Sequence, residues 1–230
     1  MKPILRFVPS LLALLMGCAP QLVAGGEDSA YLKERASPAQ TTSQKLLPLT
    51  PGTFWEMNGI SEKHTTRDKI VVVGPKQVGA STGTHLQLFR EGVLWRQEVY
   101  KNDDSGLSLL AFGEKQQELL VLSPPLPLLK AVLREGDEIT WKGSVRFKGK
   151  EYNSTAYTRV TAQENLQTRT GRFQCFRIDS VLTMSRPKEQ ALHFPSIRWL
   201  SEKIGFVRRS FADDGKPALQ DLERYQVKGK

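Results

Sequence analysis

The stretch THLQLFREGVLWRQEVY, residues 84–100, contains the pattern that decides the fold. Apolar and polar side chains alternate within Thr84–Phe89 and again within Val93–Tyr100, and this period of two is typical of strands with one buried face. The intervening Arg90-Glu91-Gly92 has the composition of a tight turn, because glycine adopts the backbone angles that hairpins need. The stretch therefore predicts two antiparallel strands joined by a hairpin.

The same pattern extends in both directions along the chain. From residue 46 to residue 226, short segments rich in Val, Ile, Phe, Tyr and Trp are separated by turns containing Gly, Asp and Asn. Only residues 127–134 leave room for a short helix. This length of chain suffices for one hydrophobic core. We therefore predict one all-β, mainly antiparallel domain over residues 46–230, with few short helices.

An internal repeat divides this domain. Three pairs of segments correspond in order: residues 49–59 with 133–143, 82–83 with 170–171, and 100–107 with 199–206. Repeated order of this kind indicates duplicated supersecondary units. We predict two β-meanders, about residues 46–122 and 130–226, with the proline-rich residues 123–127 as the crossover between them. Together they would form a curved sheet, a half-barrel or an open barrel.

The N-terminus has the composition of a secretion signal. Lys2 and Arg6 precede an apolar run, Phe7–Met16, of about ten residues, whereas a membrane span needs about 20. The run ends in LMGC, residues 15–18, which resembles the lipobox of bacterial lipoproteins. That resemblance implies cleavage after residue 17 and a diacylglyceryl group on the sulfur of Cys18. An ordinary signal peptide followed by a chance cysteine is the alternative.

A lipid on Cys18 would attach the protein to a membrane, because two or more acyl chains anchor stably. Residues 18–45 are rich in Ala, Gly, Ser, Gln and Thr and lack strand periodicity, so we predict a lipidated flexible tether. Ala19 follows the cysteine, and in enterobacterial lipoproteins Asp at this position favours the inner membrane. The resemblance therefore implies the cell envelope, at the periplasmic face of the outer membrane.

The chain is basic, with a formal net charge of +9 that falls to +7 if a signal containing Lys2 and Arg6 is removed. The longest basic run near the C-terminus is Arg208-Arg209, and the other basic residues are spread along strands and turns. This distribution predicts a solvated basic surface, with weak attraction to anionic lipid headgroups or polysaccharide as the alternative. Nucleic acid is not expected as a partner of an exported protein.

Four segments resemble a broad group of poorly characterised bacterial envelope lipoproteins. They are LPLTPGTFW (residues 47–55), VLREGD (132–137), TGRFQCFRI (170–178) and WLSEKIGFVR (199–208). The group's patterns are an opening "pLxxGxxW", its central repeat, and a later "GtFxCxkv". The resemblance covers most of residues 46–226 and implies curved antiparallel sheets similar to the half-barrels of lipoprotein carriers. It implies a location and a fold without a settled activity.

The sequence contains no recognisable catalytic constellation. His64, His85 and His193 are far apart, without the spacing of a zinc site, and there is neither a Gly-x-Ser-x-Gly elbow nor a phosphate loop. With Cys18 lipidated, Cys175 has no disulfide partner, and its apolar neighbours predict a buried thiol; a reactive thiol is the alternative. We expect a protein without enzymatic activity, bound metal or cofactor. The enzymatic alternative is an uncharacterised hydrolase.

The four tryptophans, Trp55, Trp95, Trp141 and Trp199, all lie within or beside predicted strands. They are either core residues or the lining of a sheet face that contacts an apolar ligand. We expect a non-enzymatic, lipid-anchored envelope protein that binds an apolar ligand or an envelope partner protein through one face of its sheet. A structural component of an envelope assembly is the alternative.

Overall fold

The structure is a computed structural model that describes residues 41–60, 64–114, 118–213 and 216–229. The predicted signal, the lipidation site Cys18 and most of the predicted tether lie outside the described residues. The one helix in the described part of the chain is α1, Ser43–Leu46. Among these residues no helix is long and apolar enough to cross a membrane.

Strands account for most of the described residues, as the alternating pattern predicts. Their bounds are β1 Thr41–Thr42, β2 Phe54–Ile60, β3 Thr65–Val78, β4 Ser81–Arg90, β5 Val93–Asp103, β6 Gly106–Glu114, β7 Leu120–Lys130, β8 Val132–Leu133, β9 Glu138–Phe147, β10 Lys150–Thr168, β11 Gly171–Met184, β12 Leu192–Ser201, β13 Gly205–Asp213 and β14 Lys216–Gln226. The hairpin predicted from residues 84–100 is β4–β5. The all-β, antiparallel class is confirmed.

Twelve strands, β2–β7 and β9–β14, form a closed barrel in which every neighbouring pair is antiparallel. The prediction of a half-barrel or open barrel is therefore wrong, because β14 pairs with β2 and β7 pairs with β9. The β7–β9 seam is short and joins Val121–Ser123 to Ser144–Arg146. Closure leaves no unpaired edge in the main sheet, and strand periodicity alone cannot distinguish it from an open sheet.

A glycine permits the close approach of the strands at this seam. A Cβ atom on Gly143 of β9 would lie 2.5 Å from the backbone oxygen of Ser123 in β7, which is closer than real Cβ contacts allow. A larger residue at this position would push the two strands apart. The proline-rich residues 123–127, which were predicted to form a crossover, lie within strand β7.

The barrel consists of two consecutive runs of six strands, β2–β7 and β9–β14, and β7 contains the residues that were predicted as the crossover between two meanders. Equivalent glycines occupy equivalent places: Gly52 and Gly136 have φ angles of 84° and 86°, shortly before β2 and β9. Gly106 and Gly205 likewise open β6 and β13 with positive φ. Left-handed backbone of this kind favours glycine, so the repeated glycines reflect repeated turns.

The barrel is flattened, and its opposite walls touch. Phe112 of β6 contacts Phe194 of β12 with ring centroids 5.6 Å apart, and Arg209 of β13 reaches Glu98 of β5. One continuous cluster of buried apolar side chains fills most of the interior. The lumen is therefore a packed core, with polar groups enclosed in it.

The segment before β2 covers one end of the barrel. Strand β1 pairs with β8, the amide of Ser43 donates to the carbonyl of Ala131, and Asn102 Nδ2 donates to the carbonyl of Ser43. Leu46 and Leu47 are fully buried. The packed fold thus begins at least five residues before the predicted boundary at residue 46, because these short segments close the barrel end at which the β5–β6 hairpin lies.

Candidate functional site

An irregularity in β5 turns two neighbouring side chains toward the barrel interior. The pairing of β4 with β5 shifts register so that Trp95 has no partner residue. Such a bulge interrupts strict alternation and redirects side chains. Trp95 stacks on Phe211 of β13 at 5.5 Å between centroids, and Arg96 points to the same interior. An alternating pattern read from sequence would place one of these two residues outside.

Glu98 is the centre of a buried polar cluster. Its side chain accepts hydrogen bonds from Arg209 Nη2 at 2.7 Å, Arg96 Nε at 2.8 Å and the Tyr100 hydroxyl at 2.7 Å. Burial opposes ionisation of Glu98, but the charges of Arg209, Arg96 and Arg198 outweigh it and hold the pKa of this carboxyl far below its usual range. Glu98 is therefore a carboxylate.

The groups around Glu98 are fixed in their protonation states by the same contacts. Burial raises the pKa of Tyr100, and the neighbouring Glu98 carboxylate raises it further, so the phenol remains a hydrogen-bond donor. Burial alone would lower the pKa of Arg209, but Glu98 raises it above its ordinary value. The cluster thus contains permanent guanidinium charges beside a permanent carboxylate.

A second buried carboxylate, Asp68 of β3, lies on the same side of the sheet. Arg90 Nε donates to it at 3.3 Å and the Thr66 hydroxyl at 3.0 Å. Gln220 Nε2 donates to its other oxygen from β14, passing over Gly59 of the intervening strand β2. Asp68 is therefore well supplied with donors from three strands.

Arg198 of β12 has a different environment. It is 6% exposed, and one terminal nitrogen, Nη1, donates to the Ser196 hydroxyl at 2.9 Å. Within the part of the chain that the structure describes, no acceptor lies within hydrogen-bonding distance of Arg198 Nε, and the same holds for Arg209 Nη1. Buried guanidinium nitrogens normally have partners, so these two atoms are exceptional.

A cavity of about 60 Å³ lies beside Arg198 in the barrel interior. Its walls come from β5–β7 on one side and β10–β13 on the other, and most of them are apolar. The lining consists of Arg96, Leu109, Phe112, Leu126, Leu128, Ala156, Ser180, Val181, Leu182, Phe194, Pro195, Ser196, Arg198, Phe211 and Ala212. The cavity is thus an apolar chamber with Arg96 and Arg198 as its cationic groups.

Sequence reasoning missed the arginines of this site. We predicted that the basic residues form a solvated surface, and for Arg198 and Arg209 that prediction is wrong, since both are buried. A signal was present, because Arg209 has the same parity along β13 as the buried residues Val207 and Phe211. Arginine at an apolar position of a strand pattern indicates an interior charge.

Three of the four tryptophans, Trp55, Trp141 and Trp199, are buried core residues. Trp55 is fully buried, donates its indole N–H to the carbonyl of Ile204 at 2.6 Å and packs edge-on against Phe206. Trp141 is also buried and donates to the carbonyl of Pro124 at 3.2 Å. The Trp55 indole thus connects β2 to the turn between β12 and β13, and the Trp141 indole connects β9 to β7.

Trp199 and Trp95 occupy two further environments. The indole N–H of Trp199 donates to Glu164 at 2.9 Å, and the guanidinium of Arg177 lies 5.5 Å from its ring. Arg90 lies 4.3 Å above the ring of half-buried Trp95, whose indole nitrogen has no acceptor among the described residues. None of the four tryptophans is among the described residues that line the interior cavity, so the structure does not bring them into one site.

The thiol and the imidazoles have structural surroundings. Burial raises the pKa of the Cys175 thiol to about 12, as expected for an inert core cysteine. His85 Nε2 lies 2.9 Å from Gln97 Oε1, and His193 Nδ1 lies 3.0 Å from the hydroxyl of Thr183. Among the described residues, no group of three or more His, Cys, Asp and Glu is arranged to hold a metal ion.

Two larger hollows lie on the outer side of the sheet. One, of about 420 Å³, lies beside Tyr157 and Val181, which are both 42% exposed. The other, of about 510 Å³, lies around Lys69 and Phe89. Neither hollow contains a buried polar atom without a partner, which distinguishes both from the interior cavity.

Comparison with solved structures finds two chains of similar shape. One is described as a "putative exported protein with YmcC-like fold" from Bacteroides fragilis, with a TM-score of 0.45, 14% identity, and coverage of 79% of this chain and 98% of that one. The other is a "putative lipoprotein" from Parabacteroides distasonis, with a TM-score of 0.39, 14% identity, and coverage of 78% and 97%. No protein-family model and no curated protein sequence matches the chain.

Proposed function

We propose that this chain is a non-enzymatic protein of the bacterial envelope that binds an apolar ligand inside its barrel. In this proposal a lipid on Cys18 anchors the protein at the periplasmic face of the outer membrane. The lipobox-like residues 15–18 support the anchor, and the barrel supports the binding role.

The interior cavity is the observation that carries the binding role. Ligand sites are concave and mostly apolar, with a few polar groups that orient the ligand. The chamber between Phe112, Leu126 and Phe194 has this composition, with Arg96 and Arg198 as its polar groups. Neither outer hollow is lined by a buried polar atom without a partner, so the interior is the better candidate.

The size of the cavity bears on how a ligand would enter. A volume of about 60 Å³ holds only a few atoms of an acyl chain in the present arrangement. The rings of Phe112 and Phe194 meet edge-to-face beside the cavity and join the two walls of the barrel. Separation of these two rings would lengthen the chamber along the lumen, at the cost of one aromatic contact.

Binding is tested by identification of molecules that copurify with the full-length protein. The protein is extracted from its membrane in detergent, and bound molecules are counted by native mass spectrometry. In Ala156→Leu the added atoms occupy the cavity, whereas Ala80→Leu adds the same atoms in an exposed turn and is the matched control. We expect a bound molecule in the wild type and in Ala80→Leu, and its loss in Ala156→Leu.

The absence of a bound molecule in all three proteins would contradict the binding role. A bound molecule in Ala156→Leu at the same occupancy as in the wild type would also contradict it. Extra atoms in a packed core cost about 1–3 kcal/mol of stability, so the unfolding temperature of each variant is measured first. A folded Ala156→Leu that has lost its ligand is the supporting result.

The anchor is tested separately at the N-terminus. We expect the mature protein to begin at Cys18 with diacylglyceryl mass on that residue, as read from the N-terminal peptide by mass spectrometry. A Cys18→Ser variant exported by a leader that is cleaved without lipidation should leave the membrane fraction. Recovery of an unmodified Cys18 thiol, or a variant that remained on the membrane, would contradict the anchor.

A further inference from the structure

We propose that the ligand of the interior cavity carries an anionic head group, a carboxylate or a phosphate ester, that pairs with Arg198. The proposal rests on the binding role above and adds the chemical class of the ligand. The ligand would be an amphiphile, with an apolar chain in the chamber and its anion at the guanidinium.

Arg198 is placed to receive an anion. Its side chain lines the cavity and is more than nine-tenths buried. Its Nη1 donates to the hydroxyl of Ser196, while its Nε has no acceptor among the described residues. A guanidinium cannot lose its proton, so a buried one needs anionic or hydrogen-bonding partners. A carboxylate or phosphate oxygen at Nε would supply both.

The local charge balance also favours an anion. Three guanidinium groups, those of Arg96, Arg198 and Arg209, lie close enough to Glu98 to lower its pKa, and Glu98 supplies one negative charge to them. The next carboxylate, Asp68, pairs with Arg90 and also acts on Arg209, so four guanidinium groups face two carboxylates. Buried like charges are costly unless opposite charge is near. A ligand anion would reduce this excess of positive charge.

The rest of the cavity wall favours an apolar chain behind the anion. Leu109, Leu126, Leu128 and Phe112 line the chamber away from the arginines. Burial of each methylene group against such a surface contributes about 0.8 kcal/mol. A small hydrophilic anion would gain only the contact with Arg198, whereas an amphiphile gains both contributions.

The experiment compares three ten-carbon probes that differ in the head group. Decanoate, decyl phosphate and decanol are titrated calorimetrically into the full-length lipidated chain in phosphatidylcholine nanodiscs, and empty nanodiscs provide the blank. We expect one of the anionic probes to bind about tenfold or more tightly than decanol, because a hydrogen bond to a charged group is stronger than a neutral one. The preferred anion identifies the head group as carboxylate or phosphate ester.

Arg198→Met keeps much of the side-chain volume and removes the charge. We expect it to bind decanol like the wild type and to lose the preference for the anionic probe, while Arg198→Lys keeps part of it. Arg224→Met removes an exposed arginine from β14 and is the matched control, with an unchanged preference. Loss of the preference in both Met variants would overturn the assignment to Arg198.

The outcomes distinguish the two proposals. If decanol binds as tightly as the anionic probes, the head-group inference is wrong and the apolar site remains. If none of the three probes binds, the proposed binding role itself fails. Acetate and inorganic phosphate are titrated as well, and binding of either with the affinity of the ten-carbon anion would show a small-anion site, which overturns the amphiphile.

Discussion

Replacement of Glu98 by Gln removes the only carboxylate in direct contact with Arg209 among the described residues. Glu98 is fully buried, and Arg209 is 4% exposed, so the guanidinium cannot turn to solvent. Gln keeps the shape of the side chain and one acceptor oxygen, but it carries no charge. Loss of one member of a buried ion pair costs about 3–5 kcal/mol, because the other charge stays buried without its partner.

This loss is large enough to measure by thermal unfolding. For a domain of this size, 1 kcal/mol lowers the unfolding temperature by about 2–4 °C, so Glu98→Gln should lower it by about 6–20 °C. The assay is circular dichroism at 218 nm with the detergent-solubilised full-length chain at neutral pH. Glu56→Gln, which breaks the exposed pair with Arg224, is the matched control and should cost less than about 1 kcal/mol.

The double variant Glu98→Gln/Arg209→Met tests the cause. Removal of both partners also removes the uncompensated charge, so we expect the double variant to recover part of the stability lost in Glu98→Gln. A Glu98→Gln protein that unfolds within 2 °C of the wild type would refute the reasoning. So would a double variant whose loss equals the sum of the two single losses, because that would show no coupling between the two residues.

Three further predictions concern acid, the thiol and one glycine. The folded pKa of Glu98 is depressed, so its contribution to stability is complete above about pH 4.5 and falls as the pH drops toward the folded pKa; urea unfolding at pH 6 and pH 3 should show this loss, and Glu98→Gln should show a smaller one. With its pKa raised to about 12, Cys175 should not react with Ellman's reagent at pH 8 in the folded chain. In urea, one thiol per lipidated chain should react with the reagent. Two reacting thiols would show that Cys18 is unmodified. Gly205→Ala should destabilise the fold by about 3 kcal/mol, because its Cβ would lie 2.6 Å from a carbon of the Trp55 indole. The control is Gly149→Ala, which also has a positive φ but open space around it and should cost about 1 kcal/mol. Equal losses of stability in chemical denaturation would contradict the packing explanation.

The strand order followed from the sequence more readily than the closure of the barrel. The period of two in residues 84–100 predicts the β4–β5 hairpin because each strand has one buried face. Closure depends on contacts between residues far apart in the chain, such as Val121 with Arg146, and on the absence of a side chain at Gly143. A local pattern contains no information about which distant edge a strand will meet.

The candidate site was harder to predict than the fold, for a related reason. Glu98 and Arg209 are 111 residues apart, so although Arg209 shares the parity of buried Val207 and Phe211, no local pattern identifies Glu98 as its partner. The bulge at Trp95 changes which residues of β5 point inward, so simple alternation gives the wrong face nearby. The sequence leaves open whether the tryptophans line a ligand site, but the indoles of Trp55 and Trp141 donate to backbone carbonyls of other parts of the barrel.

The central claim is that the barrel interior binds an amphiphilic anion, and a crystal structure of the chain with bound decanoate or decyl phosphate tests it most directly. We predict head-group oxygens within hydrogen-bonding distance of Arg198 Nε. The ten-carbon chain should lie against Phe112 and Leu126, with the ring of Phe194 displaced. Electron density for the probe only in the outer hollow beside Tyr157, with the interior unchanged, would contradict the claim.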